Sequence, residues 1–155
     1  MKAYVQGLAW VLQYYHEGCP SWTWFYPYLY APLASDVTSL GELNLSFSIG
    51  KPFTPLQQLI SVLPPQSRSL LPKSYSSLMT SSTSALAKYF PTSYTEDMNG
   101  KRRAWESVVN IPFINETVLL SELSHMERVE GPLSEEERLR NAMGQEAVFE
   151  APIKK

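Results

Sequence analysis

Near the start of the chain, apolar residues recur every three or four positions, which is the spacing of one face of an α-helix. This face carries Tyr4, Leu8, Val11, Leu12 and Tyr15. Gly18 follows, and glycine often ends a helix because it tolerates backbone conformations that other residues avoid. The pattern predicts a helix over residues 3–17. Since no Ser, Thr, Asp or Asn precedes it as an N-cap, we expect this helix to continue from further sequence rather than to begin a domain.

Residues 18–32, GCPSWTWFYPYLYAP, are called the aromatic segment below. The segment holds two tryptophans, four further aromatic residues and three prolines, and it has no charged residue. Because proline lacks a backbone N–H and restricts the residue before it, the prolines predict an extended loop rather than a helix. Aromatic rings either fill a core or stack on nucleic-acid bases. We expect most of these rings to be core and one exposed tryptophan to be functional.

Two later helices have clear start signals. Thr54 is a suitable N-cap, and Pro55 suits the first helical position. This helix is predicted to run to Leu63, because two prolines follow it. Ser134 precedes three glutamates with the spacing of a capping box, which predicts the last helix of the chain.

The chain between these helices is richer in turns. Weak alternation of apolar and polar residues over 43–47 predicts a short strand or an extended arm within the linker 35–48. Residues 66–86 predict two short helical turns, around residues 70–71 and 76–79.

A turn and a further helix are predicted in the second half. Asn99-Gly100 is a strong turn signal. Apolar residues with helical spacing follow it, at Trp105, Val108 and Val109. Another helix is predicted to open at Asn115 and to run through Leu123.

Together these elements predict a mainly α fold that is irregular and loop-rich, with little or no strand. The chain has 155 residues, the size of one ordinary domain. We therefore expect one helical domain over residues 1–150 and a frayed tail over residues 151–155.

Charge and cysteine content narrow the function and the compartment. A net charge of -2 argues against a protein whose main affinity comes from a basic surface on nucleic acid. The chain has one cysteine, Cys19, so it can form no internal disulfide, which fits a reducing compartment. The first uninterrupted apolar run, residues 8–12, is too short for a signal peptide or a spanning helix. We expect an intracellular protein.

The residues offer no autonomous active site. Asp36 and Asp97 are isolated, and metal-assisted phosphoryl transfer needs several carboxylates that converge. His16 and His125 have no partner at ligand spacing, so no catalytic residue and no metal ligand is predicted. Three adjacent cations beside the Asn99-Gly100 turn are candidates for phosphate contact, although a solvated turn is the simpler interpretation. These cations are Lys101, Arg102 and Arg103.

Seven motifs follow one another over residues 4–144. They are YVQGLAWVLQYYHEGCPSWTWFYPYLYAP, GKPFTPLQQLISVLPP, LLPKSYSSLM, YFP, NGK, WESVVNIPFINE and RLRN. In order and spacing they resemble the second conserved region of the 5′→3′ exoribonucleases, the Xrn family. The wording of ISVLPP and IPFINE is closer to the cytoplasmic member of that family than to the nuclear one, so the cytoplasm is the favoured location. The family usually has histidine at Leu29 and aspartate at Asn115.

The resemblance implies a helical region beside an amino-terminal nuclease domain, where it narrows the entrance to the active site. Only single-stranded RNA with a 5′ monophosphate then enters. The magnesium-binding carboxylates belong to that nuclease domain, so this chain is expected to carry no cofactor and no catalysis of its own. A tryptophan in the aromatic segment stacks on the terminal base, and the matching residue here is Trp22 or Trp24.

Two hypotheses therefore stand. In the first, the chain is part of an exoribonuclease and acts with a nuclease domain in the same polypeptide or in another one. In the second, it is a free-standing helical module that binds RNA or a protein without hydrolysis. The first predicts an exposed apolar face and poor solubility of the isolated chain, whereas the second predicts a monodisperse chain that unfolds cooperatively.

Overall fold

The computed structural model describes residues 1–38, 40–129, 131, 133–145 and 147–149. These residues contain five α-helices, two short strands and several 3₁₀ turns. The helices are α1 (Lys2–Glu17), α2 (Pro55–Val62), α3 (Lys73–Thr80), α4 (Glu116–Val129) and α5 (Glu135–Arg140). The strands are β1 (Thr95–Asp97) and β2 (Val108–Asn110). The predicted mainly α fold with little strand is confirmed. The predicted frayed tail, residues 151–155, lies outside the described residues.

The chain folds into two compact units. The first comprises Met1–Pro52 and Pro91–Ile114, and the second comprises Phe53–Phe90 and Asn115–Lys155. Each unit is therefore built from two separate stretches of chain. The aromatic segment belongs to the first unit, together with the Asn99-Gly100 turn.

Helices of the second unit begin where local signals predict them. Gln57 of α2 accepts a hydrogen bond from the Thr54 backbone N–H at 2.9 Å. The Asn115 side chain accepts from the Val118 N–H at 3.1 Å, so asparagine caps α4 as an aspartate would. These bonds satisfy donors that a helix start otherwise leaves without a partner.

The last helix, α5, has the complete predicted capping box. The Ser134 hydroxyl accepts from the Glu137 backbone N–H at 3.2 Å, and the Glu137 carboxylate accepts from the Ser134 N–H at 2.8 Å. These hydrogen bonds from Ser134 hold the pKa of Glu137 below its ordinary value. Both halves of the box act on a six-residue helix, which is too short to be stable by propensity alone.

A hydrophobic core lies in the second unit, where α3 packs against α4. Tyr75 is buried at its centre, and its hydroxyl donates to the Glu127 carboxylate at 2.6 Å. Burial, together with this hydrogen bond, raises the pKa of Tyr75. The buried apolar residues are Leu56, Ile60, Leu71, Tyr75, Leu78, Met79, Leu86, Tyr89, Phe90, Leu119 and Leu123.

The first unit is built from α1, the aromatic segment and a β-hairpin. Helix α1 covers the predicted residues and ends at Gly18, whose φ is 97°. As predicted, the aromatic segment contains no helix or strand. Strands β1 and β2 pair antiparallel, with Glu96 opposite Val109. Asn99 and Gly100 form the turn with φ of 44° and 73°, in the left-handed region that this residue pair favours.

Of two local predictions, the one for residues 43–47 is confirmed in its extended-arm alternative, and the one for the run after Asn99-Gly100 needs correction. Residues 43–47 form no strand, although the predicted alternation is present because residues 43, 45 and 47 are half-buried and residues 44 and 46 are exposed. Paired strands need a neighbouring edge, so this stretch remains an extended arm. The helical spacing after Asn99-Gly100 produces a 3₁₀ turn, Ala104–Glu106, and then strand β2, since pairing with β1 satisfies its backbone.

Among the described helices, none is both long and apolar enough to cross a membrane.

Candidate nucleic-acid interface

The aromatic segment is organised around Ser21, the one buried residue of the first unit among those described. Its carbonyl oxygen accepts from the Trp10 indole N–H at 3.0 Å and from the Cys19 thiol at 3.3 Å. Its hydroxyl accepts from the Trp24 backbone N–H at 3.1 Å. Ser21 therefore fixes the segment against α1 and closes a tight turn within it.

Trp22 lies on the surface next to this buried serine. Its backbone N–H donates to the carbonyl of Ile49 at 2.8 Å, which ties the main chain here to the stretch that ends at Gly50. The Trp22 side chain is nonetheless 55% exposed. An exposed indole on an ordered backbone presents a flat apolar face to solvent, which is the geometry of a stacking platform.

Trp24 has a different environment. Its ring lies in edge-to-face contact with Phe47, at a centroid distance of 6.0 Å. The far edge of the ring approaches α1 so closely that a Cβ placed on Gly7 would lie 3.0 Å from Cη2 of Trp24. Trp24 therefore packs the aromatic segment onto α1 and the extended arm. Of the two tryptophans proposed from the sequence, Trp22 is the one whose ring is more available.

A second glycine, Gly50, constrains the same segment. Its φ is 64°, in the left-handed region, and a Cβ there would lie 2.6 Å from Cγ2 of Thr23. Any other residue at this position would be strained by its backbone and would collide with Thr23. Gly50 therefore allows the arm to pass directly over the residue between the two tryptophans.

The aromatic segment contacts both the β-hairpin and the chain that follows β2. The Tyr30 hydroxyl donates to the Asp97 carboxylate at 2.5 Å, and the rings of Phe25 and Phe113 lie 5.6 Å apart. Asp97 also accepts from the Asn99 N–H at 2.8 Å. The bond from Tyr30 is the main cause that lowers the pKa of Asp97, and the same bond raises the pKa of Tyr30.

The three predicted phosphate-binding cations lie at the tip of this hairpin. Lys101, Arg102 and Arg103 are all exposed. The Arg103 guanidinium lies 5.6 Å from the ring centroid of Trp105, within the range of a cation–π contact. The structure thus brings the cations and the aromatic segment into one unit, linked through Tyr30 and Asp97. Whether the cations contact phosphate stays a prediction.

The described residues offer little to a metal ion or to covalent chemistry. Among them, no three His, Cys, Asp or Glu side chains converge to hold a metal. His16 and His125 are exposed and lie in separate units, and the thiol of Cys19 is engaged with the Ser21 carbonyl. This donor set does not fit a magnesium site.

Sequence reasoning missed three residues that shape the site: Gly7, Ser21 and Gly50. Ser21 carried a usable signal, because a serine three residues before a backbone donor can close a local turn. The two glycines matter through residues that are distant in the sequence, since Gly7 faces Trp24 and Gly50 faces Thr23. No local pattern predicts those pairs.

The fold and this surface define a mainly helical, loop-rich domain that presents an exposed tryptophan. The chain belongs to the family of Xrn1 helical domains, whose model matches residues 1–153. The resemblance found in the motifs is therefore confirmed at the level of the family.

Relatives of known name support the same family. The chain is 46% identical to the 5′-3′ exoribonuclease 2 of Aspergillus fumigatus over 148 residues, which is 96% of this chain and 14% of that protein. It is 44% identical to the Schizosaccharomyces pombe protein of the same name over 149 residues, or 96% of this chain and 15% of that protein. It is 47% identical to human 5′-3′ exoribonuclease 1 over 138 residues, or 89% of this chain and 8% of that protein.

The chain thus spans about one seventh or less of the length of these relatives. The human 5′-3′ exoribonuclease 1 and the Aspergillus fumigatus 5′-3′ exoribonuclease 2 match this chain with nearly equal identity, 47% and 46%. Sequence identity therefore does not show whether this chain is closer to exoribonuclease 1 or to exoribonuclease 2. The closer likeness to the cytoplasmic member of the family stays a prediction.

Proposed function

We propose that this chain is the helical region of a 5′→3′ exoribonuclease, where it threads single-stranded RNA and shapes the entrance to the active site. Catalysis belongs to a nuclease domain, in the same polypeptide or in another one, and this chain alone does not hydrolyse RNA. The substrate is RNA with a 5′ monophosphate, and the cytoplasm is the favoured location. Membership of the Xrn1 helical-domain family supports this proposal.

The observation that carries the proposal is the geometry of Trp22. Trp22 is 55% exposed, while its own N–H bonds to Ile49 and the Ser21–Trp24 hydrogen bond closes a turn around it. Stacking of a base on an aromatic ring contributes about 1–3 kcal/mol, and less is lost when the ring is already ordered. Trp22 is therefore the residue that we assign to stacking on the terminal base, and Trp24 supports it by packing against α1.

An exposed apolar stripe on α1 supports the proposed partner. Although α1 has 16 residues, none of them is buried within the described structure. Four side chains of its predicted apolar face are exposed, namely Leu8, Val11, Leu12 and Tyr15. Large exposed apolar patches mark interaction surfaces. We propose that this stripe contacts the nuclease domain.

Magnesium has no role on this chain in the proposed mechanism. In the complete family enzyme it would be held by carboxylates of the nuclease domain, where it activates the hydrolytic step. The residues described here would bind the base, orient the strand and restrict the entrance. Each of these roles depends on shape and stacking and needs no titrating group.

Binding of the pure chain to a short single-stranded RNA with a 5′ monophosphate tests the role of Trp22. We expect Trp22→Ala to weaken binding by about 1–3 kcal/mol without lowering the melting temperature. Tyr94→Ala is the matched control, because Tyr94 is an aromatic residue of the same unit with nearly the same exposure, 54%. Equal binding by wild type and Trp22→Ala would show that the terminal base stacks elsewhere.

A second experiment separates the two hypotheses on activity and autonomy. With magnesium and 5′-phosphorylated single-stranded RNA, the pure chain should release no nucleotides. Magnesium-dependent release that persists in both Trp22→Ala and Trp24→Ala, with contaminating nuclease excluded, would refute the assignment of catalysis to another domain. A monodisperse chain that unfolds cooperatively and binds RNA alone would favour the free-standing module.

A further inference from the structure

A second exposed tryptophan lies outside the aromatic segment. Trp105 follows the tip of the β-hairpin on the 3₁₀ turn Ala104–Glu106, and its side chain is 75% exposed. It is more exposed than Trp22, at 55%. The hairpin patch is defined here as Lys101, Arg102, Arg103 and Trp105.

The patch combines the two chemistries that bind an unpaired strand. The Arg103 guanidinium lies 5.6 Å from the Trp105 ring centroid, so a cation already flanks the indole. Lys101 and Arg102 are exposed beside it. Aromatic rings stack on bases, and neighbouring cations contact the phosphates between them.

Two of the three carboxylates in residues 95–106 accept hydrogen bonds from hydroxyl groups. Glu96 accepts from the Ser107 hydroxyl at 3.0 Å, and Asp97 accepts from the Tyr30 hydroxyl. Residues 95–106 nevertheless contain three carboxylates as well as three cations, so their formal charges cancel. Long-range attraction is therefore weak, and most of the affinity at this patch has to come from stacking.

The turn that presents the patch is ordered. The Lys101 N–H donates to the Met98 carbonyl at 2.7 Å, and the Asn99 N–H donates to Asp97 at 2.8 Å. Tyr30 anchors the same carboxylate from the aromatic segment. A platform held in this way loses little conformational freedom when a ligand binds.

We propose that the hairpin patch is a second contact for single-stranded RNA, in which Trp105 stacks on a base while Lys101 and Arg102 contact the adjacent phosphates. Three consecutive cations, one of them in contact with an exposed indole, favour a nucleic acid over a protein surface. The contact recognises an internal stretch of the strand and requires no 5′ end. It thus goes beyond the stacking on Trp22 and does not depend on it.

A circular RNA isolates this contact, since it has no terminal base for Trp22. The probe is a circular oligouridylate of about 12 nucleotides, within the range of site sizes for single-strand binders, measured by filter binding with the pure chain. We expect Trp105→Ala to weaken binding by about 5- to 150-fold and Trp105→Phe, which keeps a ring, by less. Tyr94→Ala, which truncates an exposed aromatic residue of the same unit outside the patch, should bind as wild type does.

Salt dependence tests the cations separately. Lys101→Ala should make the slope of log affinity against log salt shallower by about 0.7, the value expected for one lost phosphate contact on a single strand. The same variant should leave the melting temperature unchanged, because Lys101 is exposed. An unchanged slope would overturn the phosphate contact.

Three outcomes would overturn the proposal: no binding of the circle by wild type, unchanged binding by Trp105→Ala, or an equal loss in Tyr94→Ala. The second outcome would leave the patch as a surface for a protein. The variant Trp22→Ala distinguishes failure of the proposed function from failure of the contact at the hairpin patch. That variant should bind the circle normally while losing affinity for the linear 5′-phosphorylated strand, and each result stands whatever the other shows.

Discussion

Among the described residues, every buried apolar side chain belongs to the second unit, whereas the buried residue of the first unit is the polar Ser21. The second unit is held by a hydrophobic core in which α3 packs against α4. The first unit is held by hydrogen bonds to one serine, by edge-to-face ring contacts and by the link between Tyr30 and Asp97. The two units are thus stabilised by different kinds of interaction.

This difference explains why the candidate functional residues lie in the first unit. A core buries its rings and removes them from any ligand, whereas edge contacts order a ring and leave much of its face free. Trp22 and Trp105 are both more than half exposed. The apolar stripe on α1 is also exposed. This exposure agrees with the proposal that α1 packs against another domain.

The contrast predicts unequal costs for truncating an apolar side chain. Tyr75→Ala in the core should lower the free energy of unfolding by about 3–5 kcal/mol, because it leaves a cavity and orphans the Glu127 carboxylate. Leu12→Ala on α1 should change it by less than about 0.5 kcal/mol, because Leu12 is exposed. Urea unfolding followed by circular dichroism measures both. Similar losses in the two variants would break the comparison.

A backbone substitution probes the first unit instead. Gly50→Ala should destabilise this unit by about 1–3 kcal/mol, through its left-handed φ and its collision with Thr23. Native-state hydrogen exchange should show faster exchange of the Trp22 amide while the amides of α3 keep their protection. Thr23→Ser removes the Cγ2 methyl with which the new Cβ collides. The double variant, Gly50→Ala with Thr23→Ser, should therefore regain the stability lost through the collision but not the stability lost through the left-handed φ. Loss of protection throughout α3 would contradict independent ordering of the two units.

Alkaline pH should affect the core through Tyr75. Its pKa is raised in the folded state, so folding is stabilised below the ordinary tyrosine pKa of about 10, and this stability is lost as pH rises through the higher folded value. The loss approaches about 1.4 kcal/mol per pH unit once the unfolded state has released this proton. Tyr75→Phe should remove that contribution. Melting curves of both proteins between about pH 9 and 11 test it, and parallel curves would refute it.

Acidic pH provides the corresponding test of the first unit, with the smallest expected effect. The pKa of Asp97 is lowered, so its contribution to stability is present above about pH 3.9 and is lost as pH falls through the folded value. Tyr30→Phe removes the hydrogen bond that is the main cause of the lowered pKa of Asp97. We therefore expect a higher pKa of Asp97 in this variant, measured by carboxyl NMR titration. Tyr28→Phe is the control, because Tyr28 contacts Tyr26 rather than Asp97. An unchanged titration in Tyr30→Phe would contradict the link between hairpin and aromatic segment.

Local signals in the sequence predicted the helices well, because capping is local. Thr54 with Pro55, and Ser134 with Glu137, act within one helical turn. The stacking residue could only be narrowed to Trp22 or Trp24, since their difference depends on Gly7 and Phe47, which are distant in the sequence. The extended arm kept its predicted alternation without a strand, because alternation indicates a half-buried backbone and does not provide a paired neighbour.

The distribution of the tryptophans has a practical consequence. All four of them, Trp10, Trp22, Trp24 and Trp105, belong to the first unit. Indole fluorescence, excited selectively at long wavelength, therefore reports on the first unit alone, while the core of the second unit contains only tyrosine and phenylalanine as aromatic residues. Tryptophan fluorescence can therefore distinguish melting of the first unit from melting of the core of the second unit without any chemical modification.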